Sequence, residues 1–219
     1  MRKTATAFAV ALLLGAAATS FSAATQQPAA VEWIDNFEGV SLDAEKWEQF
    51  TFQGGSGGKI EIRDGELRMR GLTGARTGVR SQKMFASDRF IFEAALKLVS
   101  ERLPEGGNPD RTGFAILAVL FNGSERNRIE WILRSDGRFE AWLVLDGRGE
   151  QLDAHNLGTK ERHPALAIVR RGDELFFMLN GEPGLQRKVP NLPKNFRVMV
   201  YGYGGTETRW DWARVVTME

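Results

Sequence analysis

The chain of 219 residues has no cysteine. A disulfide framework and a lipid-modified N-terminal cysteine are thereby excluded, and the folded part must depend on its hydrophobic core. Histidine is nearly absent: His155 and His163 are the only two, too isolated to suggest a metal triad or an acid/base pair. Neither sign of charge dominates. The 29 Lys+Arg stand against 28 Asp+Glu, interspersed instead of gathered into a basic stripe, which argues against a nucleic-acid partner. Long apolar runs are missing except at residues 7–18, and that run is shorter than the ~20 residues that span a bilayer. No membrane span is therefore expected. Helical periodicity is scarce too: only residues 42–49, with Ser41 as a cap, offer a helical turn.

What is present begins with an address. Met1-Arg2-Lys3 gives a positive n-region, the apolar run follows, and small residues around Ser22-Ala23-Ala24 suit signal peptidase. Residues 1–24 read as a signal peptide, residues 25–30 as a disordered lead-in, and residues 31–219 as one domain of an exported protein, periplasmic or extracellular. Losing Arg2 and Lys3 would leave 27 cations against 28 anions. The remaining chain is rich in glycine and in turn pairs. Asp64-Gly65 separates two alternating segments, residues 59–62 and 66–70, a strong hairpin signal because both turn positions want positive φ. Residues 89–98 place Phe90, Phe92, Ala94, Leu96 and Leu98 on one face. Residues 113–121 are apolar on both faces and read as a central strand covered from both sides. Further strands are expected at residues 128–134, 139–145, 165–170, 174–179, 196–203 and 208–217, with turns at Asn122-Gly123, Ser135-Asp136-Gly137, Asp146-Gly147, Gly172-Asp173 and Asn180-Gly181. Glu101 to Arg111 reads as one surface loop. Strands this regular predict an all-β protein, a two-sheet antiparallel sandwich or barrel.

These segments also carry a resemblance. Asp35-Asn36-Phe37-Glu38-Gly39 with Leu42-Asp43-Ala44-Glu45-Lys46-Trp47, then Asp64-Gly65-Glu66-Leu67-Arg68-Met69, resembles the opening of concanavalin A-like lectin/glucanase domains. Phe92-Glu93-Ala94-Ala95-Leu96-Lys97 is similar to a strand of the laminarinases and lichenases, glycoside hydrolase family sixteen. Residues 167–176 with Asn180-Gly181 resemble the hairpin of laminin-G-like and pentraxin-like jelly rolls, and Trp210-Asp211-Trp212-Ala213-Arg214-Val215 resembles the closing strand. The pieces fall in the family's order over nearly all of residues 31–219. The resemblance implies a jelly-roll sandwich with a saccharide-binding concave sheet.

The glucanases use a strand of the form Glu-x-Asp-x-(x)-Glu, because alternate residues of a strand share a face and so point into one sugar cleft. Here the corresponding stretch is Arg128-Ile129-Glu130-Trp131-Ile132-Leu133-Arg134, and Glu130 is its one acid. Two cooperating carboxyl groups are what glycosidases need, so the resemblance implies a sugar-related scaffold without that machinery. The face of Glu130 is expected to carry Arg128 and Arg134, joined from adjacent strands by Glu93, Lys97, Glu140 and Trp142. An indole offers an apolar plate to a pyranose while carboxylates and guanidinium groups take hydroxyls or a uronate. The competing reading is a set of ordinary cross-strand ion pairs on a solvated sheet. Tyr201 with Tyr203, and Trp210 with Trp212, each share a strand face and are candidate stacking pairs. Trp131, Trp33 and Trp47 read as packing residues. No cofactor is required. A structural calcium is the one metal the resemblance brings, held by Asp211 with the backbone of Gly65. Three functions follow: a non-catalytic lectin-like domain binding a polysaccharide or oligosaccharide; a hydrolase or lyase using Glu130, Glu140 or Glu93; and a laminin-G-like protein-interaction domain.

Overall fold

The structure is a computed structural model in which residues 30–52, 58–71, 75–101, 110–156 and 164–218 are described. The expected signal peptide, most of the lead-in, most of the loop between residues 101 and 111, and His163 lie outside these residues. The described residues form sixteen strands and no helix, packed as two antiparallel sheets. A back sheet runs in the order β14 (Glu182–Lys188), β13 (Glu174–Leu179), β12 (Ala165–Arg171), β7 (Arg89–Val99), β16 (Glu207–Met218), β4 (Glu66–Arg70) and β3 (Lys59–Arg63), with β1 (Ala30–Asp35) also on β16. The other, called the groove sheet, runs β11 (Arg148–Asn156), β10 (Arg138–Leu145), β9 (Arg128–Arg134), β8 (Phe114–Phe121), β15 (Asn195–Tyr203), β5 (Arg76–Ser81) and β2 (Trp47–Phe52), with β6 (Phe85–Ala86) also on β15.

Local chemistry sets the hairpins. Asp64 and Gly65 both have positive φ (56° and 69°), as do Asp146 and Gly147 and Asn180 and Gly181, the backbone that tight antiparallel turns need. Alternation then sorts each strand's residues. Phe90, Phe92, Ala94 and Leu96 of β7 all face the core, as expected from their spacing. Rings from the two sheets meet there: Phe90 stacks on Phe196 at 4.1 Å and Trp131 lies 5.5 Å from Phe177. Each such fully buried large side chain contributes on the order of 1.5–3 kcal/mol. The central strand β8 is buried along seven of its eight residues, because its outward face is covered as well.

Of two expectations about local structure, one is narrowed and one corrected. Residues 42–49 hold a single turn, capped by Asp43 and not by Ser41. Asp43 accepts hydrogen bonds from the amides of Glu45 and Lys46 at its Oδ1 and from the amide of Trp47 at its carbonyl, and the chain enters β2 directly. Trp210 and Trp212 do not share a face, because the pairing of β16 with β7 slips between Trp210 and Trp212. Such a bulge reverses the alternation. Trp210 is buried in the core, while Trp212 turns outward with the Arg214 guanidinium 5.5 Å from its ring.

Candidate functional site

A second apolar cluster lies on the outward side of the groove sheet: Ile116, Ala118, Leu120, Ile132, Met199 and Tyr201, with Phe50, Phe114, Trp142 and Tyr203 packed against it. Register explains its membership. Glu140, Ile132, Ile116, Tyr201, Gly78 and Phe50 stand opposite one another across β10, β9, β8, β15, β5 and β2. The neighbouring row contains Trp142, Glu130, Ala118, Met199, Arg80 and Glu48. Gly78 is required in the first row: a Cβ there would sit 2.3 Å from both the Tyr201 Cβ and the Val200 carbonyl oxygen. Its absence lets the Phe50 and Tyr201 rings meet edge to face at 5.8 Å.

Above this floor is a cavity of about 650 Å³, with Arg128, Glu130, Glu140, Trp142 and Tyr203 among its lining residues. Glu130 sits at its foot, only 5% exposed. Two donors converge on its Oε1, Arg128 Nε at 2.6 Å and the Tyr201 hydroxyl, and Arg76 Nη1 adds an ion-pair contact at 3.9 Å. Oε2 takes none of these contacts. Burial, with the adjacent Glu130 charge, pushes the Tyr201 phenol well above its ordinary pKa, so it stays a neutral donor. Burial alone would weaken the charge on Arg128, but the Glu130 carboxylate outweighs it and raises that pKa. Arg134 behaves likewise. Burial opposes its charge, yet hydrogen bonds to Glu140 and Asp136 (2.9 and 3.0 Å) hold it as a cation. Glu140 also accepts from Trp142 Nε1 at 3.0 Å, which fixes the indole at the cavity wall.

Seven of the residues expected from sequence therefore meet on one face: Arg128, Glu130, Arg134, Glu140, Trp142, Tyr201 and Tyr203. Tyr201 is buried and works as a donor to Glu130; Tyr203 lines the cavity. Glu93 and Lys97 do not join them. They stand on β7, which pairs with β12 and β16 in the back sheet and not with β9 or β10. There Glu93 binds Arg214 at 2.7 Å and Lys97 lies 3.4 Å from Asp211. Sequence reasoning missed Arg76, Gly78, Phe114, Glu125 and Arg126. Arg76 and Arg80 alternate on β5, a visible pattern, but nothing in it tells that β5 borders β15.

Among the described residues no group of three or more His, Cys, Asp or Glu side chains could hold a metal ion. Asp211, the carboxylate expected to hold calcium with Gly65, instead faces the Lys97 ammonium. One carboxylate already paired with a cation does not make the many-oxygen set that calcium takes.

No protein family and no curated protein matches the sequence. Solved structures do match. An endo-acting O-glycanase of the human gut microbiota, of the kind that initiates mucin breakdown, is 15% identical and superposes with a TM-score of 0.66 over 85% of this chain and 99% of its own. The β-glucanase of Bacillus licheniformis is 12% identical, with a TM-score of 0.64 over 86% of this chain and 98% of its own. The LamA protein of Z. galactanivorans bound to laminaritriose and laminaritetraose is 13% identical, with a TM-score of 0.65 over 87% and 100%. The fold is thus the two-sheet jelly roll that these glycanases share. At this identity the likeness establishes the fold alone.

Proposed function

We propose that the protein is an exported, lectin-like domain that binds a polysaccharide or oligosaccharide in the groove of β8, β9 and β10 without cleaving it. The observation that carries this reading is the engagement of Glu130. Its carboxylate is held at Oε1 by arginine and tyrosine donors, an arrangement suited to a fixed acceptor. Oε2 accepts a sugar hydroxyl, and the Trp142 indole, fixed through Glu140, stacks on a pyranose face. Export rests on the N-terminal leader pattern. Arg128 and Arg134 are each paired with a carboxylate, so a uronate would have to displace Glu130 or Glu140. A neutral glycan is the better fit.

A glycan array with the wild type and with Trp142→Ala and Glu130→Gln variants tests this. Binding by the wild type, lost on the order of tenfold or more in Trp142→Ala with no product released, is the expected result. The rival reading, a polysaccharide-active enzyme, draws on one observation: Glu125 and Glu140 line the same cavity as Glu130. Reducing ends or unsaturated products released by the wild type and not by Glu130→Gln would decide for it. A laminin-G-like role in protein recognition would show as a blank array with a protein partner captured in its place.

A further inference from the structure

The two ends of the row through Glu130 are built differently. On the β11 side the cavity reaches the edge of the sheet, where Gly149 of the edge strand β11 lines it. A Cβ on Gly149 would meet the Trp142 indole at 3.8 Å, so the missing side chain keeps the way past that ring clear. On the β2 side four charged residues close the row. Arg80 binds Glu48 and reaches Glu125 at 3.5 Å, and Arg197 donates to Glu48 at 3.2 Å. They come from β5, β2, the turn after β8, and β15, and they converge over Leu120 and Met199, which point outward from the sheet yet are fully buried. Of the four only Glu125 borders the cavity. Along this row the cavity stops at this network.

We propose that the groove takes the end of a glycan chain and not an internal stretch. The inference rests on the carbohydrate-binding reading of the same groove. The terminal unit lies over Ile116 and Ile132 against the Glu125–Arg80 barrier, and the chain leaves past Trp142 and Gly149. An internal stretch needs two exits, and the second would require breaking an ion network and uncovering Leu120 and Met199. Chemistry favours the terminus as well. A chain end carries a hydroxyl that an internal unit has converted to a glycosidic oxygen, and the Glu125 carboxylate at the barrier offers an acceptor for it.

The test is a binding stoichiometry measured with linear β-1,3-glucan, mixed-linkage β-glucan, xylan and mannan, each as a short oligosaccharide and as the polymer. For the glycan that binds, the expected result is a single protein per chain, with affinity per mole of chain equal for short and long forms within about twofold. Protein bound in proportion to chain length overturns end recognition and leaves carbohydrate binding intact. No binding to any of the four overturns the carbohydrate reading and this inference with it. Two variants sharpen the result. Glu125→Ala, which removes a partly exposed side chain and leaves the backbone carbonyl that Arg128 uses, is expected to let length-proportional binding appear. Gly149→Leu is expected to lower affinity roughly tenfold or more by blocking the exit beside Trp142; unchanged affinity in a variant that melts like the wild type would overturn the proposed path.

Discussion

The outward faces of the two sheets carry the same kinds of residue and use them differently. On the back sheet Glu93 pairs with Arg214, Lys97 with Asp211 and Glu207 with Arg209, and the cations stand 35–42% exposed, although the Glu93 carboxylate is only 14% exposed. On the groove sheet Glu130 pairs with Arg128 at 6% and 11% exposure. What separates them is the row beneath. Ile116, Ala118 and Leu120 of β8 give the groove an apolar floor, and Phe114, Trp142 and Tyr203 raise walls around it, so water is removed from one ion pair and left around the others. Exposed pairs are screened and contribute little. A desolvated pair holds its geometry because losing either partner strands a charge. The comparison teaches that burial, and not residue type, sets the groove pair apart from those of the back sheet.

Glu130→Ala attacks that difference most directly. It leaves Arg128 and the Tyr201 hydroxyl without their shared acceptor and should cost about 3–5 kcal/mol of unfolding free energy, read from urea or thermal melts. Glu93→Ala, its counterpart on the back sheet, should cost no more than about 1 kcal/mol. Equal losses in the two variants would erase the distinction. A smaller effect is expected from Tyr201→Phe, which removes one donor to a buried carboxylate, at about 1–2 kcal/mol. It also carries a pH signature. The folded Tyr201 has a pKa above that of the unfolded chain, so its contribution is complete below about pH 10 and declines as pH rises further, when the unfolded phenol ionises and the folded one does not. Alkaline melts of Tyr201→Phe should lack that part of the decline.

The same contrast explains what could be read from the chain. Hairpins were legible because Asp64-Gly65, Asp146-Gly147 and Asn180-Gly181 act within a few residues, and the core side of β7 was legible from its alternation. The heart of the groove was legible where β9 and β10 are neighbours in both sequence and space, which brought in Arg128, Glu130, Arg134, Glu140 and Trp142. Where neighbours in space are distant in the chain, the reading failed. Arg76, Gly78 and Arg80 enter through the pairing of β5 with β15, a choice governed by how the chain alternates between sheets. Glu93 and Lys97 were misplaced for the same reason: β7 alternates as β9 does, but it belongs to the other sheet. The slip at Asp211 was invisible too, since a single unpaired residue leaves no mark in polar and apolar spacing.

The mildest way to probe the comparison is at that slip. Lys97 and Asp211 are both 39% exposed, so Lys97→Ala should change stability by less than about 1 kcal/mol, and added salt should shrink even that. The pair also decides the calcium question. While the ammonium occupies Asp211, millimolar calcium should leave the wild-type melting temperature where it was, because an ion that does not bind the folded state cannot raise it. Lys97→Ala removes the competing cation. If calcium stabilises that variant and not the wild type, the bulge holds a latent metal position that Lys97 suppresses; if it stabilises both, Asp211 leaves Lys97 for the ion and the back sheet is not the purely solvated surface that the comparison makes it.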